Sequence, residues 1–404
     1  MAKGTFSFED LNKEMKKISV IGDTIDKSTV SEIPEYIDSG NFMLNACLTG
    51  SLRKGYPGNR AVEIQGPSGT GKTFLMLNAL LRLQKKEYYI YHYDSENAVD
   101  RDQVVKFGID PSKLFYIPCN TVQEFRTSIT NLTKTLIDKK RAGIEIPKIA
   151  ISLDSIGNLA TQKEVDDASS GSEKADMSRA KIIKSIFRIC LSQMAECGIF
   201  FIYSNHIYQT MDMFSQQIGG GGSGREYGAS IILNVNKAQL KEGDAKVGII
   251  VTVKSNKNRF AKPNVIKIHI DFRKGMNAYV GLQNLISWDI CGIQKGKFLT
   301  EKEFSKLKEG EDRDECRKHT YKNDKDKEVT VYFQPSETSR VFCVKHLNDT
   351  VKPTELFTAR VFTDEVIDVL DEKVVKPMFN YGSSDEEDVD VIFENVEKDE
   401  DQPE

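Results

Sequence analysis

The residues whose chemistry is plainest stand in one run: Gly66, Pro67, Ser68, Gly69, Thr70, Gly71, Lys72 and Thr73. Their order, GPSGTGKT, fits G-x-x-x-x-G-K-[ST]. The glycines let backbone N–H groups turn inward around phosphate oxygens. Lys72 reaches the β- and γ-phosphates of a nucleoside triphosphate, and Thr73 offers a hydroxyl to Mg²⁺. Such a loop needs a strand before it and a helix after it; here AVEIQG precedes it and KTFLMLNALLRLQKK follows. A carboxylate must stand near the metal. Asp154 ends the apolar run KIAISLD, where an open sheet presents its ligand crevice, and is expected to support Mg²⁺ together with Thr73. Glu96 lies two residues past the end of YYIYHYD. A carboxylate there can take a proton from an attacking water, although taken alone it reads more readily as a loop surface residue.

The elements that must hold these groups follow from periodicity. From Asn59 to about Leu285, apolar strands alternate with helical stretches: AVEIQG, YYIYHYD, KIAISLD and IFFIYSN are strands, and MSRAKIIKSIFRICLSQMAEC is a helix. Three β-rich stretches then follow in succession: SIILNVNKAQL, VGIIVTVKS and NVIKIHIDF. This order predicts an α/β fold, a doubly wound and mostly parallel sheet with an antiparallel extension. An N-terminal segment, residues 1–35, carries a helix capped by Ser7. Its apolar residues Phe8, Leu11, Met15 and Ile18 need cover, either from its own core or from a neighbouring subunit. The core is expected over residues 36–287, a small α+β domain over 288–382, and an acidic tail over 383–404. No internal repeat is visible.

Composition bounds the class. Hydrophobic residues make up 39% and charged residues 29% of 404, as in globular proteins with a sizeable core. No apolar run is long enough to span a membrane, and no signal peptide is evident, so a cytoplasmic protein is expected. The seven cysteines form no CxxC pair and read as reduced thiols rather than a zinc site. Net charge is −4. The stretch from Asp385 to Glu404 holds eleven acids and one lysine, −10 in all, which leaves +6 on the rest. A basic body with an acidic tail can engage phosphates.

One stretch fits no ordinary loop: after the strand GIFFIY comes SNHIYQTMDMFSQQIGGGGSGREYG, with four consecutive glycines. Taken with LTGSLRKGYPGNRAVEIQGPSGTGKT, YDSENAVDRDQVVKFGIDP, SLDSIGNLATQKE, DMSRAKIIKSIFRI and KSNKNRFAK, it resembles the RecA recombinase family, most closely the UvsX-type recombinases of bacteriophages. The matching segments run from about Leu48 to Gly281. The resemblance implies a RecA-like P-loop NTPase core, an N-terminal oligomerisation helix, and ATP with Mg²⁺ between successive subunits of a helical filament. By position, Lys72 and Thr73 take the phosphates and metal, Asp154 supports the metal, and Glu96 activates water. Lys257 and Arg259 are supplied in trans, and His206 senses the γ-phosphate. The nucleotide is also expected near Asp100, Arg101 and Gln103. Where this chain has Gln103 the family often stacks a tyrosine on adenine, which leaves Arg101 or Tyr56 as substitutes.

The same resemblance makes Ile207 to Gly224 the second DNA-binding loop, with Met213 and Phe214 wedging between bases. Gly219, Gly220, Gly221 and Gly222 would supply backbone donors. The first loop is expected at Lys163 to Asp176. Arg179 follows it, and Lys181, Lys184 and Arg188 share one helix face toward the phosphodiester backbone. The implied function is an ATP-dependent recombinase that coats single-stranded DNA and exchanges strands with a homologous duplex. A single-strand-binding protein and a loader are the further partners implied. Two other functions fit the same motifs: a RecA-like hexameric helicase, and a non-catalytic coating protein gated by ATP.

Overall fold

A computed structural model describes residues 7–18, 24, 25, 27, 32–170, 178–209, 217–219, 228–308 and 310–382. After helices α1 (Phe8–Ile18) and α2 (Phe42–Thr49) and the short pair β1 (Tyr36–Ile37) and β2 (Tyr56–Pro57) comes the main alternation. It runs β3 (Ala61–Gly66), α3 (Lys72–Gln84), β4 (Tyr89–Asp94), α4 (Arg101–Phe107), β5 (Leu114–Pro118), α5 (Val122–Arg141), β6 (Ile149–Asp154), α6 (Gln162–Ser170), α7 (Arg179–Glu196) and β7 (Phe200–Gln209). Then come β8 (Gln217–Gly219), β9 (Ile231–Glu242), β10 (Ala245–Asn258), β11 (Val265–Asp271) and β12 (Gly275–Met276). The main sheet has the order β12-β11-β10-β9-β3-β7-β6-β4-β5, with β8 paired to β7. Strands β9 to β5 in that order are mutually parallel, and β10 to β12 extend them antiparallel. This is the α/β architecture expected from the strand–helix alternation.

Why the sheet is covered on both faces can be read residue by residue. Along β3 and β7, Val62, Ile64, Phe200 and Ile202 face one apolar layer with α2 and α3, while Ala61, Phe201 and Tyr203 face another with α5 and α7. Successive side chains alternate across a strand, so strands apolar at every position need helices on both sides. All seven cysteines are free thiols, as expected, and burial pushes Cys47 up to about 12.

Beyond the core, β13 (Ile293–Thr300), β14 (Arg317–Lys322), β15 (Glu328–Pro335), β16 (Phe342–Val344) and β17 (Asp349–Val351) form an antiparallel sheet in the order β14-β15-β13-β16-β17. The helical run from Asp364 to Phe379 returns to the main core, where Ile367, Leu370, Val375 and Phe379 are buried in the same layer as α2. One carboxylate fastens this return. Asp371 is 4% exposed and accepts from Ser51 Oγ at 2.8 Å and from the Leu52 N–H at 2.5 Å. Nearby, Arg53 pairs with Asp364 and Asp368 in the open. Exposed pairs contribute little, whereas a buried donor left without its acceptor costs about 1–3 kcal/mol. Asp371→Ala is therefore expected to lower unfolding stability by about 2–4 kcal/mol, and Asp364→Ala by under about 1 kcal/mol. Denaturant melts of both variants check the ranking.

Candidate nucleotide site

The phosphate loop is built by close approach. At Gly66 an added Cβ would fall on the Val235 carbonyl of β9, so only glycine lets β9 run beside the loop. Gly71 holds φ +91 as the N-cap of α3, a conformation side chains rarely adopt. The Thr70 hydroxyl donates to the Pro67 carbonyl at 2.9 Å and closes the turn. Lys72 is buried, with Nζ donating to the Gly66 and Pro67 carbonyls at 2.9 and 2.8 Å. Burial holds its ammonium below the ordinary lysine range, against the opposing pull of Asp154 and Glu96.

Strand register brings the remaining groups to the same end of the sheet. Asp94 and Asp154 are direct partners on β4 and β6, and Gly66 and His206 on β3 and β7. Asp154 is 1% exposed; its Oδ2 accepts from Thr73 Oγ1 at 2.7 Å, and its Oδ1 from Ser204 Oγ. A hydroxyl and a carboxylate in contact at a helix N-terminus are a hard-oxygen pair suited to Mg²⁺. Among the described residues no three or more His, Cys, Asp or Glu gather into a group that could hold a metal ion. Asp94 explains how Glu96 is placed. Its carboxylate accepts from the Glu96 N–H at 2.9 Å and the Val99 N–H at 3.3 Å, and from the Tyr116 hydroxyl at 3.2 Å. The chain after β4 is thus folded back over the crevice. Glu96 Oε1 then accepts from Ser155 Oγ at 2.6 Å and lies 2.7 Å from His206 Nε2. His206 Nδ1 is 3.4 Å from Lys72 Nζ. The tautomer with its proton on Nε2 satisfies both neighbours: it donates to Glu96 and accepts from Lys72.

Asp100 caps α4, accepting from the Gln103 N–H at 2.8 Å; Asp100, Arg101 and Gln103 are all exposed. Tyr56 is fully buried with its ring edge-on to Phe200, so it has no face to offer adenine. Lys257 and Arg259 lie elsewhere. Asn258 pairs with Ile231, which pairs with Val62 near the start of β3. From Val62 to Gly66 is about 13 Å along the strand. Arg259 thus sits at the end of the sheet opposite its own phosphate loop. There it lines a cleft of about 300 Å³ with Asn59, Arg60, Ser192 and Ser230. Burial, and then the charge of Arg259, hold Arg60 below its ordinary range.

Lys181, Lys184 and Arg188 are exposed along α7, as the spacing predicts. Arg179 departs from expectation. Its guanidinium turns inward, donating from Nε to the Leu159 carbonyl at 2.9 Å and from Nη2 to the carbonyls of Ile156 and Gly157. It ties α7 to the segment that follows Asp154 and has those donors committed there. The segment expected as the first DNA loop begins as α6, which covers 162–170; residues 171–177 lie outside the described residues. So do Met213, Phe214, Gly220, Gly221 and Gly222. Gly219 ends β8 and pairs with Ile207, the neighbour of His206.

The family profile described as RecA N-terminal domain matches residues 5–277. The chain belongs to the RecA family. The RecA match covers both strands and turns that build the site and stops before β13. A "Recombination and repair protein" of Enterobacteria phage T4 is 30% identical over 247 residues, 60% of this chain and 61% of that protein. "Protein RecA" of Bartonella quintana is 31% identical over 245 residues, 59% and 65% of the two chains. "Protein RecA" of Synechococcus sp. (strain CC9902) is 26% identical over 273 residues, 66% and 68%. The similarity to the phage protein therefore spans about three fifths of its length. No described helix of this RecA-family chain is long and apolar enough to cross a membrane.

Proposed function

We propose that this RecA-family chain is a recombination and repair protein: an ATPase that forms filaments on single-stranded DNA, pairs it with a homologous duplex and exchanges strands. The observation that carries this reading is the division of the site. Lys72, Thr73, Glu96, Asp154 and His206 meet at one end of the sheet, while Lys257 and Arg259 stand at the other. Head-to-tail stacking of identical subunits brings the second group of one chain onto the first group of the next, and such contacts generate helical polymers. Positive groups that arrive only on assembly make phosphoryl transfer depend on the polymer.

Two open surfaces support self-assembly. Helix α1 leaves Phe8, Leu11, Met15 and Ile18 between 46% and 79% exposed. On the edge strand β5, Phe115 is 64% exposed beside a groove of about 430 Å³ shared with Tyr89, Tyr91 and Ile149. An exposed apolar stripe and an apolar groove on one chain are what a second copy can cover.

In the mechanism this supports, Lys72 leaves the Gly66 and Pro67 carbonyls for the phosphates, and Glu96 orients and deprotonates the attacking water. Thr73 and Asp154 would hold Mg²⁺, whose charge offsets that on the phosphate oxygens. His206 relates phosphate occupancy to DNA. It touches Lys72 and Glu96 on one side, and its neighbour Ile207 pairs with Gly219 at the foot of the glycine-rich segment. Loss of the γ-phosphate then alters the start of a DNA-contacting loop. Lys181, Lys184 and Arg188 would meet the strand's phosphates, in a contact that salt weakens. The test is ATPase activity with and without long single-stranded DNA, paired with negative-stain images in a non-hydrolysable ATP analogue. DNA-stimulated turnover and helical filaments are expected. Closed rings that unwind a forked duplex would mean a helicase instead, and assembly without turnover a coating protein.

A further inference from the structure

The β9–β10 ribbon continues past the end of β3 and forms a wall beside the phosphate loop. Ile249 and Val251 of β10 and Ile270 of β11 all lie against Gly71. On this wall Lys237, paired with Val251, is an exposed lysine of β9 that neither the P-loop motif nor the distant KNR segment includes. Its Nζ lies 2.8 Å from where a Cβ on Gly69 would stand. Gly69 itself holds φ +72 and is exposed at the middle of the loop. Among the described residues no carboxylate forms an ion pair with Lys237.

The position adds positive charge to a loop that is already electropositive. The inward N–H groups of a phosphate loop and the N-terminus of α3 already concentrate partial positive charge, and Lys72 adds a full one. A further ammonium beside Gly69 raises the local potential on the open side of the loop, away from Asp154 and Glu96, whose charges act on Lys72. An anion seated in the loop would reverse the sign of that interaction. The side chain is long and flexible, so its ammonium can swing over Gly69 toward the loop's contents without backbone movement.

On the reading of this loop as a nucleotide site, we infer that Lys237 is a second cation from the same chain that binds the polyphosphate of ATP. It acts from the open side of Gly69, where Lys72, held beneath the loop, does not reach. It differs in kind from Lys257 and Arg259, because it is present before any neighbour arrives. Its contribution should therefore appear in nucleotide binding by the unassembled chain.

The experiment measures ATP, ADP and AMP binding by the full chain without DNA, for wild type, Lys237→Gln and Lys237→Arg. A five- to twentyfold loss of ATP affinity is expected in Lys237→Gln, as for removal of one charge-assisted contact. AMP should change less than twofold, Lys237→Arg should restore most of the loss, and the salt dependence of ATP binding should flatten. ADP reports which phosphate is held: a loss shared by ADP assigns the β-phosphate, and one confined to ATP the γ-phosphate, both in support. Unchanged ATP affinity in Lys237→Gln, with wild type binding ATP normally, overturns the inference and leaves the nucleotide site intact. So does unchanged ATP affinity with weakened binding to single-stranded DNA, which would assign Lys237 to the nucleic-acid surface. Wild type that binds no nucleotide at all removes the underlying reading instead.

Discussion

Glu96→Gln should abolish DNA-stimulated ATP turnover, by about 10²- to 10⁴-fold, while ATP-dependent binding to single-stranded DNA stays within about threefold of wild type. The size follows from the role. Glu96 is the carboxylate in this crevice that is not committed to the metal pair: Asp154 is engaged with Thr73 and Ser204, and Asp94 with backbone N–H groups. The amide is nearly isosteric and still offers an oxygen to Ser155 Oγ, which donates to Oε1 at 2.6 Å. The fold of the loop should survive, because Asp94 and not Glu96 holds it. What the amide lacks is the basicity to accept water's proton. Single-turnover and steady-state ATPase assays, run beside filter binding to DNA, separate the two quantities. Retained turnover would remove Glu96 from the chemistry. Loss of ATP binding along with turnover would make it a structural residue of the crevice.

How far the sequence leads depends on the range of the interaction concerned. The phosphate loop, Asp154 and the strand–helix alternation are local or periodic, and they stand in the structure where the pattern puts them. Helix α5 was missed although Thr121 and Glu124 spell T-x-x-E, and the two residues make a reciprocal cap. The same signal stands at Thr161 and Glu164, where the first DNA loop was expected and α6 begins instead. A polar, Ser-rich composition there outweighed a capping signature that sets the local backbone. Edge strand β5 was missed because LFYIP is apolar yet half exposed, with no alternation to mark it. Arg179 and Lys237 belong to a different class. Whether a cation faces solvent, a carbonyl or a phosphate loop is fixed by which strand lies beside which, and in what register. The pairing of Lys237 with Val251, like that of Gly66 with His206, joins residues that no local pattern relates.

The strongest test of the divided site uses two inactive chains. Lys257→Ala/Arg259→Ala should be as inactive as Glu96→Gln, since cations that reach phosphoryl transfer across an interface are worth about 10³- to 10⁵-fold. Each variant alone carries one defect at every interface. In a co-assembled equal mixture, one kind of interface joins an intact phosphate loop and Glu96 on one chain to an intact Lys257 and Arg259 on the next. With random order that is about one interface in four, so the mixture should regain about a quarter of wild-type turnover. A site completed within one chain predicts no recovery at all, because neither variant then holds a full set. Sedimentation with single-stranded DNA establishes that both chains enter the same assemblies. Mixed filaments without restored hydrolysis would mean that Arg259, some four strand residues from its own phosphate loop, does not reach a neighbour's phosphates either. Recovery would instead fix the polarity of stacking: the phosphate-loop end of each sheet would have to face the Arg60 and Arg259 cleft of the next chain.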